Sequence, residues 1–420
     1  MNIEYSTRAA RRITWTLFIT QSLGSAALIA NAAVNPIVGA ELSGYDTLAG
    51  LPGTLLLIGA AATAQPAGRL MQRVGRRWGL ALGFFVGAAG MLISGMAIIA
   101  HSFWFFLFGL LLIGGARGAI DQSRYAAADA HTPARRARAI SIVVFAGTIG
   151  AILGPKLVGP SSNVLGGFGF SPLAGPMWSG MLLFALAGTL IAALLRPDPR
   201  DIGRAIAAAH PDTQQSGRPA RSAREIMRLP QARLALAAIV TAQTVMVLIM
   251  GVTSLHMHHH DHSLDAVGMV LMAHTLGMFG LALVVGPLAD RLGRSRMIAL
   301  GAALLVAGSV LAPVSLATPW LAAALFLIGL GWNACYIAGS SLLADILAPA
   351  ERGSVQGATE LIVNGAAAAS SLASGVILAQ FGYGALSMLG AALALLPLAL
   401  LVWQRIAPTP AAPPAPSPQL

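Results

Sequence analysis

The chain has 420 residues, 56% of them hydrophobic and only 10% charged, with a mean hydropathy of +0.74. A net charge of +11 would suit a nucleic-acid partner, but 23 of the 26 basic residues lie at the N-terminus, in alternate loops or at the adjoining helix ends, Arg233 and Arg405. A nucleic-acid surface gathers its arginines on one soluble face, so this distribution excludes one and points to membrane topology.

The first apolar run follows Arg8, Arg11 and Arg12 and contains Ala30-Asn31-Ala32, which mimics a secretory leader. It is longer than a leader core and eleven comparable stretches follow, so it reads as a membrane helix. About 20 apolar residues cross the hydrocarbon core as a helix. Stretches of that kind fall near 13–38, 47–67, 78–100, 103–128, 139–160, 174–195, 233–256, 265–287, 297–317, 319–343, 354–379 and 384–405. The expected fold is an all-α membrane protein of twelve transmembrane helices, with lipid bilayer as its surroundings. The many glycines belong to packed helices, because lipid leaves no partner for open backbone.

Loops 68–77, 129–138, 196–232, 288–296 and 344–353 hold the arginines, and the alternate loops carry no Lys or Arg. The positive-inside bias puts both termini and the 196–232 loop in the cytoplasm of a bacterial inner membrane. Cys335 is the single cysteine, so no intrachain disulfide forms. The Pro/Ala-rich segment 408–420 reads as a disordered tail.

Two motifs recur in order. Gly68-Arg69-Leu70-Met71-Gln72-Arg73-Val74-Gly75-Arg76-Arg77 is echoed by Gly286-Pro287-Leu288-Ala289-Asp290-Arg291-Leu292-Gly293-Arg294, 218 positions on. Ala128-Asp129-x-x-x-Pro133-Ala134-x-Arg136 is echoed by Ala344-Asp345-x-x-x-Pro349-Ala350-x-Arg352, 216 positions on. Recurrence at nearly one offset indicates an internal duplication of the chain. Asp290, Arg291, Gly293 and Arg294, with Gly68, Arg73, Gly75, Arg76, Asp129 and Asp345, are candidates for a cytoplasmic gate in which a carboxylate pairs with arginine or caps a helix. Arg69 and Arg77 read as topology arginines only.

These loops resemble those of the major facilitator superfamily, whose pattern is Gly-x-x-x-Asp-Arg-x-Gly-Arg. The second copy matches fully, whereas the first has Gln72 in place of Asp. The resemblance implies two pseudo-symmetric six-helix bundles over 1–195 and 233–407, a linker over 196–232, a midplane site and alternating access.

Met246 and Met250 sit four apart in the seventh stretch, and His274 and Met278 four apart in the eighth. That spacing stacks each pair on one helix face. Thioether and neutral imidazole are soft donors that select Cu(I), and an intramembrane histidine is costly without a function. A short loop makes the two helices antiparallel neighbours or near neighbours, and four donors then converge near the bilayer centre. Between the pairs, His256, Met257, His258, His259, His260 and His262 form a cluster with five of the nine histidines, read as a periplasmic collecting site. Packing methionines and a polar loop are the plainer alternatives. Both signatures resemble those of the proteobacterial CcoA-like copper importers. The resemblance implies uptake of copper as substrate, as Cu(I), bound by Met246, Met250, His274 and Met278, for cuproenzymes such as haem–copper cytochrome oxidase; no cofactor is implied.

Arg117, Asp121 and Arg124 share the fourth stretch, Lys156 lies in the fifth and Glu360 in the eleventh. They serve as a proton relay, a substrate counter-charge or structural pairs, Asp121 with Arg117 or Arg124. Gly150-x-x-x-Gly154-Pro155-x-x-x-Gly159 resembles the fifth-helix motif of superfamily drug–proton antiporters and supports the alternative of a proton-coupled carrier for a small organic compound. No nucleotide loop, His-Glu-x-x-His or paired-cysteine motif is present, so an enzyme is not expected.

Overall fold

The structure, a computed structural model, describes residues 3–209, 221–347 and 351–406. The 408–420 tail and the middle of the linker lie outside them. Among the described residues all regular structure is helical. The first half contains α1 (Ile3–Ser43), α2 (Leu51–Val74), α3 (Arg76–Ile99), α4 (Phe103–Ile120), α5 (Ser123–Asp129), α6 (Pro133–Gly167) and α7 (Gly175–Leu194). Short helices α8 (Pro199–Ala209) and α9 (Ala223–Ile226) belong to the linker. The second half contains α10 (Pro230–His258), α11 (Leu264–Phe279), α12 (Ala282–Leu292), α13 (Arg294–Leu311), α14 (Thr318–Asp345), α15 (Arg352–Ala394) and α16 (Leu396–Ile406).

Local sequence explains these boundaries. Helices α6, α10 and α14 begin with proline in the first turn, where its missing N–H costs nothing. Ser263 caps α11 by accepting from the Ala266 N–H at 3.2 Å. The α2–α3 and α12–α13 turns pass through Gly75 (φ 96°) and Gly293 (φ 91°), a left-handed geometry that favours glycine. The two motif copies thus place one glycine in one conformation at one place in each half.

Ten helices are long and apolar enough to span a membrane, and α11 with α12 makes an eleventh, bent by 44°. The longest of the ten, Ala358–Gln404, is interrupted at Gly382 (φ 77°), which divides it into the two stretches seen in the sequence. Twelve crossings follow. Large apolar side chains face outward, and tryptophans mark both rims: Trp15, Trp78 and Trp403 near the arginine-rich side, Trp104 and Trp320 near the histidine-rich side.

The halves pack alike, with α3 on α4 and α2 on α4 in the first, α13 on α14 and α11 on α14 in the second. Across the halves α6 meets α11, α2 meets α15 and α1 meets α10. The linker is fastened at both ends. Asp198 accepts the backbone N–H groups of Arg76 and Arg77, each at 3.1 Å, and Arg221 pairs with Glu351 at 2.8 Å. Ser222 and Glu225 cap one another at α9, and the hydrogen bonds from Ser222 hold the Glu225 carboxyl below the usual carboxylate range.

Candidate functional site

An aromatic and polar group stands where the halves face each other. On α14, Trp332 and Tyr336 are one turn apart and stack at 4.7 Å and 17°. Phe279, at the end of α11, meets the Trp332 ring edge-on at 6.0 Å. The Trp332 indole donates to Gln243 Oε1 of α10 at 2.9 Å, fixing its plane. Tyr336 hydrogen-bonds Glu360 of α15 and lies within electrostatic reach of Asp121 and Arg124 from the opposite half. Gln243, Phe279, Trp332 and Tyr336 are all partly buried, as side chains lining a cavity between helices should be.

Asp121 forms no ion pair with Arg117 or Arg124 among the described residues. The helical register holds as far as Asp121, whose N–H bonds the Arg117 carbonyl at 2.9 Å, and the chain then turns at Asp121 and Gln122 before α5. Arg124 instead lies over the Tyr125 ring at 5.0 Å. Arg117, Lys156 and Glu360 are exposed.

The methionine–histidine pairs lie on helices that are near neighbours, not direct ones. Helices α10 and α11 scarcely touch, and α14 is the helix on which both pack. Glycine explains the fit: a Cβ on Gly329 or Gly277 would strike backbone atoms of the other helix. Met246 is buried on α10 and Met250 partly buried one turn on. His274 is fully buried, and its Nδ1 hydrogen-bonds the Leu325 carbonyl of α14 at 2.9 Å. Its Nε2 is buried without a partner. Met278 is partly buried, and its carbonyl accepts from Asn333.

The histidine cluster is engaged in closing its face of the protein. His258 meets Glu41 of α1 at 3.2 Å, and His259 meets Asp46 at 3.6 Å, both from the opposite half. His256 stacks on Tyr383 at 4.1 Å, His260 binds the His256 carbonyl at 2.8 Å, and His262 meets Thr318 at 3.2 Å. Met257 is fully buried in this conformation. Among the described residues no three His, Cys, Asp or Glu side chains come together to hold a metal ion. The close-packed joint continues below. Ser371 donates to the Gly50 carbonyl at 2.9 Å, Thr54 to that of Ala368 at 3.2 Å, and Thr275 to that of Ala151 at 3.1 Å. Asp265 rests on Gly159, and Gly268 on the Pro155 carbonyl, while Gly150 and Gly154 let α6 approach α1. The fifth-helix motif is therefore a packing surface in this conformation.

Glu41→Gln combined with Asp46→Asn should loosen this face. The pairs are half-exposed, so each contributes at most about 1 kcal/mol. Hydrogen–deuterium exchange in the 41–50 and 256–264 segments should accelerate severalfold; unchanged exchange would mean that the pairs hold nothing.

The arginine-rich side carries no bond between the halves among those found in the described residues. Arg76 pairs with Asp129 at 2.9 Å inside the first half. Arg294 pairs with Asp290 and, at 3.4 Å, with Asp345 inside the second. Gly75 and Gly293 form the turns, Gly68 and Arg73 lie on α2, and Arg291 ends α12. The expected gate therefore binds within each half here, while the latch joining the halves is on the histidine-rich face. The sequence reading missed Gln243, Phe279, Trp332, Tyr336, Glu41 and Asp46. A Trp-x-x-x-Tyr pair inside an apolar stretch was the one available signal for the aromatic group.

Two six-span halves, closed against each other on one face and holding polar groups between them, are the architecture of a membrane transport protein. The sequence profile of the Major Facilitator Superfamily matches residues 16–264 and 234–419, and the chain belongs to that superfamily. It is 38% identical over 402 residues to the uncharacterized MFS-type transporter YdeG of Bacillus subtilis (strain 168), covering 94% of this chain and 92% of that one. It is 33% identical over 395 residues to the riboflavin transporter RfnT of Brucella anthropi, covering 93% and 96%. Among solved structures, the nucleoside transporter NupG superposes with a TM-score of 0.68 at 16% identity, covering 94% of this chain and all of that one (100%). The human organic anion transporter MFSD10 gives 0.64 at 19%, covering 93% and 99%. At these identities the two structures speak for the fold alone.

Proposed function

We propose that the protein is a secondary carrier for a small organic compound with a planar aromatic part. The observation that carries this reading is Trp332, locked by Gln243 and stacked on Tyr336 opposite charged groups of the other half. A flat ring inserted beside these aromatics gains stacking and apolar burial. Glu360, Asp121 and Arg124 then read its polar edge or carry a coupling proton. The likeness to a riboflavin transporter over nearly the full length of both chains supports the same substrate class. In this reading residues 1–195 and 233–407 rock about the linker 196–232, in an inner membrane with both termini cytoplasmic. The test is quenching of tryptophan fluorescence in the purified protein by riboflavin, nucleosides and aromatic amino acids. Saturable quenching that is absent in Trp332→Leu supports it; no saturation by any of the three at millimolar concentration ends it.

A second reading is copper import, favoured by the unpartnered, buried Nε2 of His274 together with the methionine pairs. A soft cation that exchanges its hydration for imidazole nitrogen and thioether sulfur suits such a donor set. Copper accumulation in cells should then fall at least about tenfold in Met246→Ala, Met250→Ala, His274→Ala and Met278→Ala at equal membrane abundance. Four variants with unchanged copper content would remove this reading and leave the organic one standing.

A further inference from the structure

A groove of about 830 Å³ opens on the outer face of the first half, outside the joint between the halves. Its floor is α4 at Gly115, Ala116 and Ala119, and its walls are α2 from Gly59 onward and α3 around Leu82. Small residues make it deep, and the strong outward exposure of Leu82 shows that it faces the acyl chains. Voids left by ordinary packing are far smaller. Arg69 and Arg73, one turn apart, line its arginine-rich end. From Gly59 to Arg73 the α2 axis rises about 21 Å. One leaflet contributes about 15 Å of hydrocarbon, and its headgroups lie beyond. The groove therefore runs from mid-bilayer to phosphate level, the length of a single lipid.

The charges at the mouth are unspent. Four arginines occupy this turn. Arg76 is taken by Asp129, and Arg77 donates to the Ala192 carbonyl and covers Trp78. The side chains of Arg69 and Arg73 are exposed, and no described residue pairs with them. Among the described residues both acids that touch the turn are engaged, Asp129 by Arg76 and Asp198 by the backbone of Arg76, Arg77 and Arg200.

We propose that this groove seats one anionic phospholipid of the adjoining leaflet, its acyl chain between α2 and α3 and its phosphate on Arg69 and Arg73. Guanidinium forks match phosphate oxygens in geometry as well as charge. The acyl slot supplies apolar burial that a free phosphate cannot gain, so the two contributions are separable.

The experiment uses the full chain purified in detergent, titrated with phosphatidylglycerol, phosphatidylcholine and glycerol phosphate, with bound lipid counted by native mass spectrometry. Wild type should bind one phosphatidylglycerol at least about tenfold more tightly than phosphatidylcholine, each basic side chain near a membrane surface contributing on the order of 1 kcal/mol. It should not bind glycerol phosphate. Arg69→Gln with Arg73→Gln should abolish the preference. Ala62→Phe fills the exposed groove without altering charge and should weaken both lipids. Equal binding of the two lipids by wild type, a preference surviving the double arginine variant, or binding unaffected by Ala62→Phe would each overturn the proposal. Arg8→Gln with Arg11→Gln, remote from the groove, should leave the preference intact.

Discussion

Replacing Trp332 with alanine should raise the half-saturating substrate concentration about tenfold to a hundredfold, with transporter abundance unchanged. Trp332 is only partly buried, so truncation opens a cavity that the transport pathway already adjoins and α14 keeps its helix contacts. What disappears is one face of the stack with Tyr336, the edge contact from Phe279, and the partner of Gln243. Aromatic contact contributes about 0.5–1.5 kcal/mol beyond the burial of area, and each 1.4 kcal/mol is tenfold. Trp332→Phe should recover part of the loss, because the ring remains while the indole N–H does not. Glu360→Gln should act differently: it keeps the hydrogen bond to Tyr336 but removes a charge at mid-depth. Binding should persist while uphill accumulation fails. Uptake assays beside equilibrium binding check both, and equal loss of binding in Glu360→Gln would place the carboxylate in substrate recognition instead of coupling.

Gly50→Leu should trap the protein with its histidine-rich face open. Gly50 has ordinary helical backbone angles (φ −82°, ψ −16°), so a side chain there causes no local strain. Its Cβ, however, would fall on the carbonyl of Ser371 in the other half. That obstacle is backbone and cannot rotate away. Overpacking costs about 1–3 kcal/mol in a core that can adjust, and a rigid clash sits at or above that upper end. A penalty near 3 kcal/mol lowers the closed population roughly a hundredfold. Spin labels at the exposed Phe168 and Val314, one in each half, should report a longer distance across this face, and uptake should collapse. An unchanged distance with normal uptake would show that Gly50 and Ser371 part during every cycle without being needed to close.

The crossings were legible because lipid demands about twenty apolar residues and tolerates few exceptions, a constraint written into every stretch. Even the Gly382 break appears in the sequence as the gap between 379 and 384. Side-by-side order was less legible. Spacing placed Met246 with Met250 and His274 with Met278 on common helix faces, but only tertiary packing sets α14 against both α10 and α11. The Gly277 and Gly329 approach that fixes this is one glycine contact among many possible in a chain with 47 glycines. Likewise, the histidine cluster announced itself, whereas its partners Glu41 and Asp46 lie more than two hundred positions away.

The joint on the histidine-rich face is made where carbonyls lie against glycine, as at Gly375, where a methyl group would meet the Thr47 carbonyl at 2.8 Å. Such a seam closes only while both of its surfaces stay bare backbone, so its glycines are as much a part of the closing device as the histidine–carboxylate pairs.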